Sequence, residues 1–164
     1  MLNFITMDKT HHYSLGVEWT GNTGEGTKDY RAYERSHTIL LENKADIAGS
    51  SDAAFRGDKK KHSPEDLFVA SIATCHMLWY LHLCSDAGII VTAYIDHATA
   101  TMTETSDGGG RFTEVTLHPT ITITNASQIA KAESLHQKAN ELCFIANSCN
   151  FPIHHQPVIS VKSN

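Results

Sequence analysis

Four cysteines are the side chains of this sequence with the clearest capacity for chemistry. Cys75 and Cys84 lie in the apolar stretch SIATCHMLWYLHLC, and Cys143 and Cys149 lie in a later segment. A thiolate can attack, be oxidised or form a disulfide when a neighbouring cation lowers its pKa and solvent reaches it. Free cysteine is also among the most buried residue types, so four small core residues are the alternative interpretation.

The spacing of the cysteines limits which of them can pair. Cys75 and Cys84 are nine residues apart on one predicted helix. That spacing is about 13 Å along the axis, whereas a disulfide needs Cα atoms within about 7 Å. Cys143 and Cys149 would face different directions if both were helical. Any disulfide should therefore join one member of each pair, and four pairings stay open.

A reactive Cys75 would need a cationic neighbour. It lies more than two turns inside its predicted helix, where the helix dipole contributes little. A cationic side chain would therefore have to stabilise the thiolate. The candidates lie in the preceding loop and strand or on the helix itself: Arg31, Arg35, Arg56, His76 and His82.

The element that must position Cys75 carries the strongest local signals in the chain. Ser63 supplies a capping hydroxyl, Pro64 suits the first helical position, and Glu65 is an acid in the first turn. These residues predict a helix that runs to about Ala87, with Gly88 as a left-handed cap. Apolar residues surround the axis, so we expect burial on most sides. On spacing alone, Glu65 is a capping residue.

The other predicted elements are strands and one further helix. Alternation of apolar and polar residues predicts strands, helical spacing predicts the helix, and the long loop is rich in Gly, Ser and Asp. They are strands over 12–19 and 31–42, a loop over 47–61, a hairpin of two long strands over 91–104 and 111–124, a helix from Asn125 or Ser127 to 147–150, and a strand over 157–161. The sequence predicts a single α+β domain over 1–164.

Composition argues against several classes of protein. The 164 residues carry a formal net charge of −5, which gives no reason to expect a nucleic-acid partner. No signal peptide is recognisable, and the apolar stretch resembles a core helix more than a membrane span. We therefore expect a cytoplasmic protein with reduced thiols.

The histidines do not predict a metal site. The chain has 11 of them, but no pair shows the close Cys and His spacing of a structural zinc site. His76 and His82 should face different directions on their helix. We expect the neighbouring His154 and His155 at the surface, and neither a metal nor a cofactor.

Two segments resemble the OsmC/Ohr family, which includes thiol-dependent hydroperoxide reductases. The first is HSPEDLFVASIATCHMLWYLHLCSDAGI, with Glu65 ten positions before Cys75 and Gly88 closing the helix. The second is ANELCFIANSCNFPI, with Cys143 near the end of the later helix. The order of elements also resembles that family along most of the chain.

The resemblance implies an OsmC-like α+β fold and a set of site residues. The implied assembly is an intertwined homodimer whose two long central helices are wrapped by antiparallel sheets. Cys75 would be the peroxidatic cysteine and Cys143 the resolving one. An arginine would stabilise the thiolate, with Glu65 orienting it. Arg56 occupies the OsmC-type position, whereas Arg35 or Arg31 would be the Ohr-type choice.

The implied activity is reduction of organic hydroperoxides through a Cys75 sulfenic acid and a Cys75–Cys143 disulfide. A dithiol reductant, for which a lipoyl-type dithiol is one candidate, would restore both thiols. An apolar wall would suit an organic substrate, and it would be formed by Leu67, Phe68, Leu78, Trp79 and Phe144. The alternative is a redox-sensing or small-molecule-binding dimer without turnover.

Helix geometry adds one expectation about the assembly. Glu65 and Cys75 are about 15 Å apart along one straight helix, too far for both to contact one arginine side chain. The Glu65 of a second copy could approach Cys75 if the two helices ran antiparallel. We therefore expect a composite site at a homodimer interface.

Overall fold

The computed structural model describes residues 9–162, which form two compact units of strands and helices. One unit extends to Pro64 and the other begins at Glu65. The predicted α+β class is confirmed. A single domain over residues 1–164 stays a prediction.

The first unit contains a three-stranded antiparallel sheet. Its strands are β1 (Gly16–Trp19), β2 (His37–Leu40) and β3 (Ile47–Gly49), in that order across the sheet. Both predicted N-terminal strands are thus shorter than alternation indicated. Upstream of β2 the chain turns, because the Asp29 carboxylate accepts the Arg31 backbone N–H at 2.7 Å.

The long loop of the first unit has a defined conformation around Arg56. A 3₁₀ turn spans Ala53–Phe55, and the Asp52 carboxylate caps it by accepting the Ala54 N–H at 2.7 Å. Arg56 then adopts the left-handed conformation with φ of 65°. A Cβ on Gly57 would lie 1.5 Å from the Ser51 carbonyl oxygen, so only glycine fits there.

The long helix forms as its local signals predict. Helix α1 spans Pro64–Asp86, with Glu65 and Asp66 in its first turn. Gly88 has φ of 68°, which confirms the predicted left-handed end. The Ile89 N–H donates to the Cys84 carbonyl at 2.8 Å and so satisfies one terminal acceptor.

Helix α1 is buried along one stripe instead of on most sides. Its buried residues are spaced by four and are Ile72, His76, Tyr80 and Cys84. The opposite face is open, and the Leu78 side chain is 62% exposed. The expectation of burial on most sides is therefore wrong for one copy of the chain.

Helix α1 is also long and apolar enough to span a bilayer. Among the described residues it is the one helix with the length and apolar composition needed to span a bilayer, with a mean hydropathy of 1.5 over its most apolar window. The core helix of a soluble protein can have the same length and composition, so this property by itself does not indicate a membrane.

The two long strands predicted after α1 are four shorter strands. They are β4 (Val91–Asp96), β5 (Thr99–Glu104), β6 (Gly110–Leu117) and β7 (Pro119–Ile123). β5 pairs with β6 and β4 with β7, in two different sheets. Asp96 is the last residue of β4, and His118 lies between β6 and β7. The Asp96 carboxylate accepts the His118 backbone N–H at 2.7 Å, which joins the two points where the predicted long strands are interrupted.

The sheets of the second unit are mixed and not purely antiparallel. Strand β8 (Ile153–His155) runs parallel to β6, and β9 (Val158–Val161) runs parallel to β7. The strand orders are β4-β7-β9 and β5-β6-β8. The sequence predicted β9 but not β8, and parallel pairing follows because α2 intervenes as a crossover.

Helix α2 spans Ile129–Leu142 and ends earlier than predicted. A 3₁₀ turn at Ala126–Gln128 precedes it, capped by the Asn125 side chain. Cys143 is already extended, with φ of −68° and ψ of 111°. The chain therefore leaves the helix at Cys143, the residue that the family resemblance implies as the resolving cysteine.

Candidate thiol site

The structure brings the thiols of Cys75 and Cys143 together. The Cys75 thiol lies close enough to Cys143 to raise the pKa of that thiol; Cys75 comes from the middle of α1 and Cys143 from the residue after α2. Of the four pairings that spacing left open, this is the one in which one thiol influences the other.

The two thiols differ in access and electrostatics. Cys75 is half-buried, whereas Cys143 is fully buried. Burial, reinforced by the adjacent Cys75 thiol, raises the pKa of Cys143 to about 11, although the Ala146 N–H donates to its sulfur at 3.4 Å. Cys143 is therefore a protonated thiol at neutral pH.

Cys75 opens on an apolar groove of about 310 Å³. The groove is lined by Cys75, Leu78, Trp79, His82 and Phe144. The Trp79 and Phe144 rings meet edge to face at 5.6 Å between centroids, and the Phe144 side chain is 69% exposed. Three residues of the predicted apolar wall thus line the groove.

The other two wall residues do not line this groove. Phe68 packs against the rings of Phe112 and Phe151, at 5.0 and 6.1 Å between centroids. Leu67 is half-buried and lies outside the lining set. Phe68 is a core residue here, because its ring joins an aromatic cluster at the start of α1.

The remaining cysteines have other surroundings. Cys84 is buried in the core, where burial raises its pKa and the Tyr80 hydroxyl beside it lowers it. Cys149 donates its S–H to the Ile145 carbonyl at 3.3 Å and packs in a second core cluster. Burial also raises the pKa of the Cys149 thiol. Neither of them lines the Cys75 groove.

Glu65 lies at a different cavity, of about 750 Å³. It is bounded by one face of α1 and by strands β4 to β6, and Cys75 is not part of its lining. The Glu65 Oε2 atom is buried with no hydrogen-bond partner among the described residues. Within one chain, Glu65 and Cys75 are therefore separate features.

Two further polar atoms at this cavity were not predicted. The Tyr94 hydroxyl and Asp96 Oδ2 are also buried and unpartnered within residues 9–162. Burial raises the pKa of both side chains, and the Asp96 charge raises that of Tyr94 further. Alternation marked both as strand residues, and no local signal distinguishes them from their neighbours.

The predicted arginines lie in the first unit and have different environments. Arg35 donates to the carbonyls of Tyr33 and Tyr30 at 2.6 and 2.7 Å, and its guanidinium lies about 4 Å from both tyrosine rings. Arg56 is exposed at the end of its 3₁₀ turn, and Arg31 is exposed beside the Asp29 turn. The role of each arginine stays a prediction.

The helical histidines are not equivalent as candidate cations. Burial, followed by the charge of His155, lowers the pKa of His76 to about 4, so His76 is neutral near pH 7. It cannot serve as the predicted cation. His82 lines the Cys75 groove and lies 3.5 Å from the Asp86 carboxylate, with both side chains exposed.

One histidine of the later strand faces inward. His154 is exposed as expected, but His155 is half-buried and stacks against His76 with 5.7 Å between ring centroids. The expectation of a surface position is wrong for His155, because neighbouring residues of a strand point to opposite faces. Residues 9–162 hold no group of three His, Cys, Asp or Glu side chains suited to a metal ion.

Comparison with known proteins agrees with this geometry. The family model described as OsmC-like protein matches residues 57–157, more than half of the chain. No curated protein matches the sequence. An OsmC-like protein of unknown function from Vibrio cholerae has a similar structure, with a TM-score of 0.82 and 27% identity over 91% of this chain and 100% of that one.

Two more distant structures share the fold. An organic hydroperoxide resistance protein from Elizabethkingia anophelis has a TM-score of 0.66 and 20% identity, over 94% of this chain and 100% of that one. One from Legionella pneumophila has a TM-score of 0.64 and 20% identity, over 93% and 100%. The family match, the fold and the paired thiols agree, and the chain belongs to the OsmC-like protein family.

Proposed function

We propose that this protein is a thiol-dependent reductase of organic hydroperoxides. The observation that supports the proposal is the proximity of a half-buried Cys75 at an apolar groove to a fully buried, protonated Cys143. A peroxide can reach the first thiol, and the second is in position to react with the product. The two structural neighbours named organic hydroperoxide resistance proteins support this class of activity.

The proposed reaction has one oxidation, one condensation and one reduction. The Cys75 thiolate attacks the distal oxygen of ROOH, which breaks the O–O bond, forms a Cys75 sulfenic acid and releases RO⁻, which is protonated to ROH. The Cys143 thiol then displaces hydroxide from the sulfenic sulfur, so that a disulfide and water form. A dithiol reductant exchanges with the disulfide, restores both thiols and becomes a disulfide itself.

The groove favours an organic substrate over hydrogen peroxide. Leu78, Trp79 and Phe144 present apolar surface next to the Cys75 thiol. Burying an apolar substituent there gains about 25 cal/mol per Å² of area removed from water, which hydrogen peroxide cannot gain. Aryl and alkyl hydroperoxides should therefore have the lower KM.

The proposal assigns the thiolate-stabilising role to Arg56 ahead of Arg35. Arg35 donates one hydrogen bond from each terminal nitrogen to a backbone carbonyl, whereas Arg56 is exposed and held at positive φ. Such a conformation costs of order 1–3 kcal/mol and is found more often at functional sites. Replacing Arg56 with Lys should lower kcat/KM less than replacing it with Ala.

We further propose that a second copy of the chain completes the site. Glu65 is about 15 Å from Cys75 along α1, and its buried carboxylate oxygen lacks a partner among the described residues. The face of α1 that carries Leu78 is open. A second copy could cover that apolar face and bring its own Glu65 towards Cys75.

Mass spectrometry after one equivalent of cumene hydroperoxide tests the oxidation chemistry. The wild type should give a Cys75–Cys143 disulfide. Cys143→Ser should stop at a Cys75 sulfenic acid that dimedone traps. Cys84→Ser and Cys149→Ser are matched controls and should form the same disulfide as the wild type. Oxidation that spares Cys75, or a disulfide through Cys149, would contradict the proposal.

Steady-state turnover separates an enzyme from a non-catalytic redox sensor. Excess hydroperoxide with dithiothreitol or dihydrolipoamide should give many turnovers per Cys75. One oxidation event per chain, without further consumption of the reductant, would instead indicate the sensing or binding role.

Complementation between two inactive variants tests the composite site. Cys75→Ser retains Glu65, and Glu65→Ala retains Cys75, so a mixed dimer has one intact site only if the two residues act across subunits. Co-expression with two different tags should restore activity in the doubly tagged fraction. Absence of activity in a verified heterodimer would place both residues on one chain.

A further inference from the structure

Helices α1 and α2 each bury a stripe that contains one histidine. The α1 stripe is Ile72, His76, Tyr80 and Cys84, and the α2 stripe is Ala132, Leu135, His136 and Ala139. Apolar side chains of both stripes share one core cluster, so the helices pack together through an otherwise largely apolar surface. The two histidines lie opposite each other in that surface.

The two imidazoles form one directional contact between the helices. His76 Nε2 and His136 Nδ1 are 2.9 Å apart, and the two side chains are 1% and 0% exposed. The rings are nearly parallel, at 10°, with 5.3 Å between centroids. Tyr80 stacks on the His136 ring, with 3.9 Å between the ring centroids. Because both rings are buried and neutral, one nitrogen donates its proton and the other accepts.

This pair is a poor device for stability. His76 Nδ1 and His136 Nε2 have no hydrogen-bond partner among the described residues, although both atoms are buried. An unsatisfied buried polar group costs about 1–3 kcal/mol, so two leucines of similar volume would be the more stable choice. A polar contact in an apolar helix interface instead fixes register, because one alignment alone forms the hydrogen bond.

We propose that the His76–His136 hydrogen bond fixes the register of α2 against α1 and thereby positions Cys143 for reaction with Cys75. The inference rests on the proposed function. His76 directly precedes Met77 and follows Cys75 in α1, and His136 lies seven residues before Cys143. The histidines are positioning residues and do not touch the substrate.

Register matters because the reaction joins two sulfur atoms. A slip of α2 by one residue would move Cys143 by about 1.5 Å along the axis and rotate its helix end by about 100°. Misplacement of reacting groups by about 1 Å can cost on the order of a hundredfold in rate. The chemistry at Cys75 with peroxide does not need Cys143, so register should affect the second step and not the first.

We chose the substitutions according to which ring nitrogen of each histidine takes part in the hydrogen bond. His76→Gln places an amide near the Nε2 position, and His136→Asn places one near the Nδ1 position, so each should keep the bond. His136→Gln is a matched mispositioned control, because it has the same chemistry one bond further out. His136→Phe keeps a ring for stacking on Tyr80 without the nitrogen. The double variant H76L/H136L removes the pair altogether.

Three measurements separate an effect on register from an effect on the fold. Equilibration with oxidised and reduced dithiothreitol gives the disulfide exchange constant, in which the two thiols lose two protons and two electrons to the reagent. Stopped-flow with cumene hydroperoxide gives the rate of Cys75 oxidation and then the rate of condensation. Chemical denaturation gives the free energy of unfolding.

In H76L/H136L, His136→Phe and His136→Gln, we expect condensation and the exchange constant to fall about tenfold or more. Oxidation of Cys75 should change less than about twofold. His76→Gln and His136→Asn should stay close to wild type. The free energy of unfolding of H76L/H136L should be at least as large as that of the wild type. If the two histidines served only to stabilise the fold, it should be smaller.

Unchanged condensation and exchange in the folded variants would overturn the inference. So would a loss of stability that accounts for the whole effect. If H76L/H136L does not fold, the test is the comparison of condensation rates and exchange constants between His136→Gln and His136→Asn. A wild type that forms the disulfide with dithiothreitol but not with hydroperoxide would overturn the proposed function and leave the positioning role standing.

Discussion

The two sides of helix α1 carry the same kinds of residues in opposite environments. The buried stripe contains His76 and Cys84, and the open face contains Cys75 and His82. On the buried side the imidazole is neutral and burial raises the thiol pKa. On the open side the thiol meets a groove, and the imidazole lies by the Asp86 carboxylate.

This difference shows that residue type alone does not assign a role. Adjacent residues of a helix point about 100° apart, so Cys75 and His76 enter different surroundings although they are neighbours in sequence. The stretch SIATCHMLWYLHLC is at once core and candidate site. Its two interpretations apply to different sides of the same helix.

The largest expected effect contrasts the two cysteines of α1. Cys75→Ser should lower kcat/KM for cumene hydroperoxide by at least about a thousandfold, because it removes the proposed nucleophile. Cys84→Ala should stay within about twofold, because Cys84 lies in the core and away from the groove. A coupled assay of dithiol consumption measures both. Equal losses in the two variants would contradict the comparison.

The second contrast concerns stability. Ile72→Ala should lower the free energy of unfolding by about 2–5 kcal/mol, because it opens a cavity in the core. At protein concentrations low enough to keep the chain monomeric, Leu78→Ala should lower it by less than about 1 kcal/mol, because the side chain is largely exposed in one copy. Urea denaturation measures both. A cost for Leu78→Ala that grows with protein concentration would show that a second copy covers this face.

The third contrast is in pH dependence. The pKa of His76 falls to about 4 and that of His136 to about 3 in the folded chain, from 6.5 in the unfolded chain, because both are buried. Between about pH 6.5 and 4 the unfolded state binds more protons. The free energy of unfolding should therefore fall as the pH falls, by up to about 1.4 kcal/mol per pH unit for each histidine.

Urea denaturation at pH 7, 6 and 5 checks this slope. The variant H76L/H136L should lose most of it, since it lacks both groups. If the free energy of unfolding of that variant still fell with pH as steeply as in the wild type, other groups would bind the protons on unfolding. The buried side of α1 would then not differ from the open side in pH dependence.

The smallest expected effect is on the open side. His82→Gln should change the free energy of unfolding by less than about 0.5 kcal/mol, because an exposed polar contact with Asp86 contributes little. Thermal denaturation at low and high salt measures this. A larger loss would mean that His82 is not on an open surface in the assembled protein.

Local signals predicted the part of the fold that local chemistry controls. The start of α1 at Pro64 and its end before Gly88 depend on residues within one turn. The break between β4 and β5 depends instead on a hydrogen bond that the His118 backbone N–H donates to the Asp96 carboxylate, 22 residues away. Strand alternation continues through that break, so the sequence offered no sign of it.

The site shows the same division. The family resemblance singled out Cys75 and Cys143, and the fold brings their sulfurs together. Helical periodicity extended α2 beyond Leu142, although the Asn147 side chain, which donates to the Glu141 carbonyl at 3.0 Å, supports the helix end. His136 was missed because a lone histidine on an apolar helix face carries no signal until its partner is known.

The high pKa of the buried Cys143 has a consequence for recycling. In thiol–disulfide exchange, the reductant forms a mixed disulfide with the sulfur that it attacks, and the other sulfur leaves as a thiolate. The thiolate leaves faster when the pKa of its thiol is lower. The reachable sulfur is that of Cys75, so the departing thiolate would be Cys143, with a pKa of about 11. If the proposed reductase activity holds, return of the protein to its dithiol form should be slower than its oxidation. A more nucleophilic reductant should then raise kcat and leave the rate of the peroxide step unchanged.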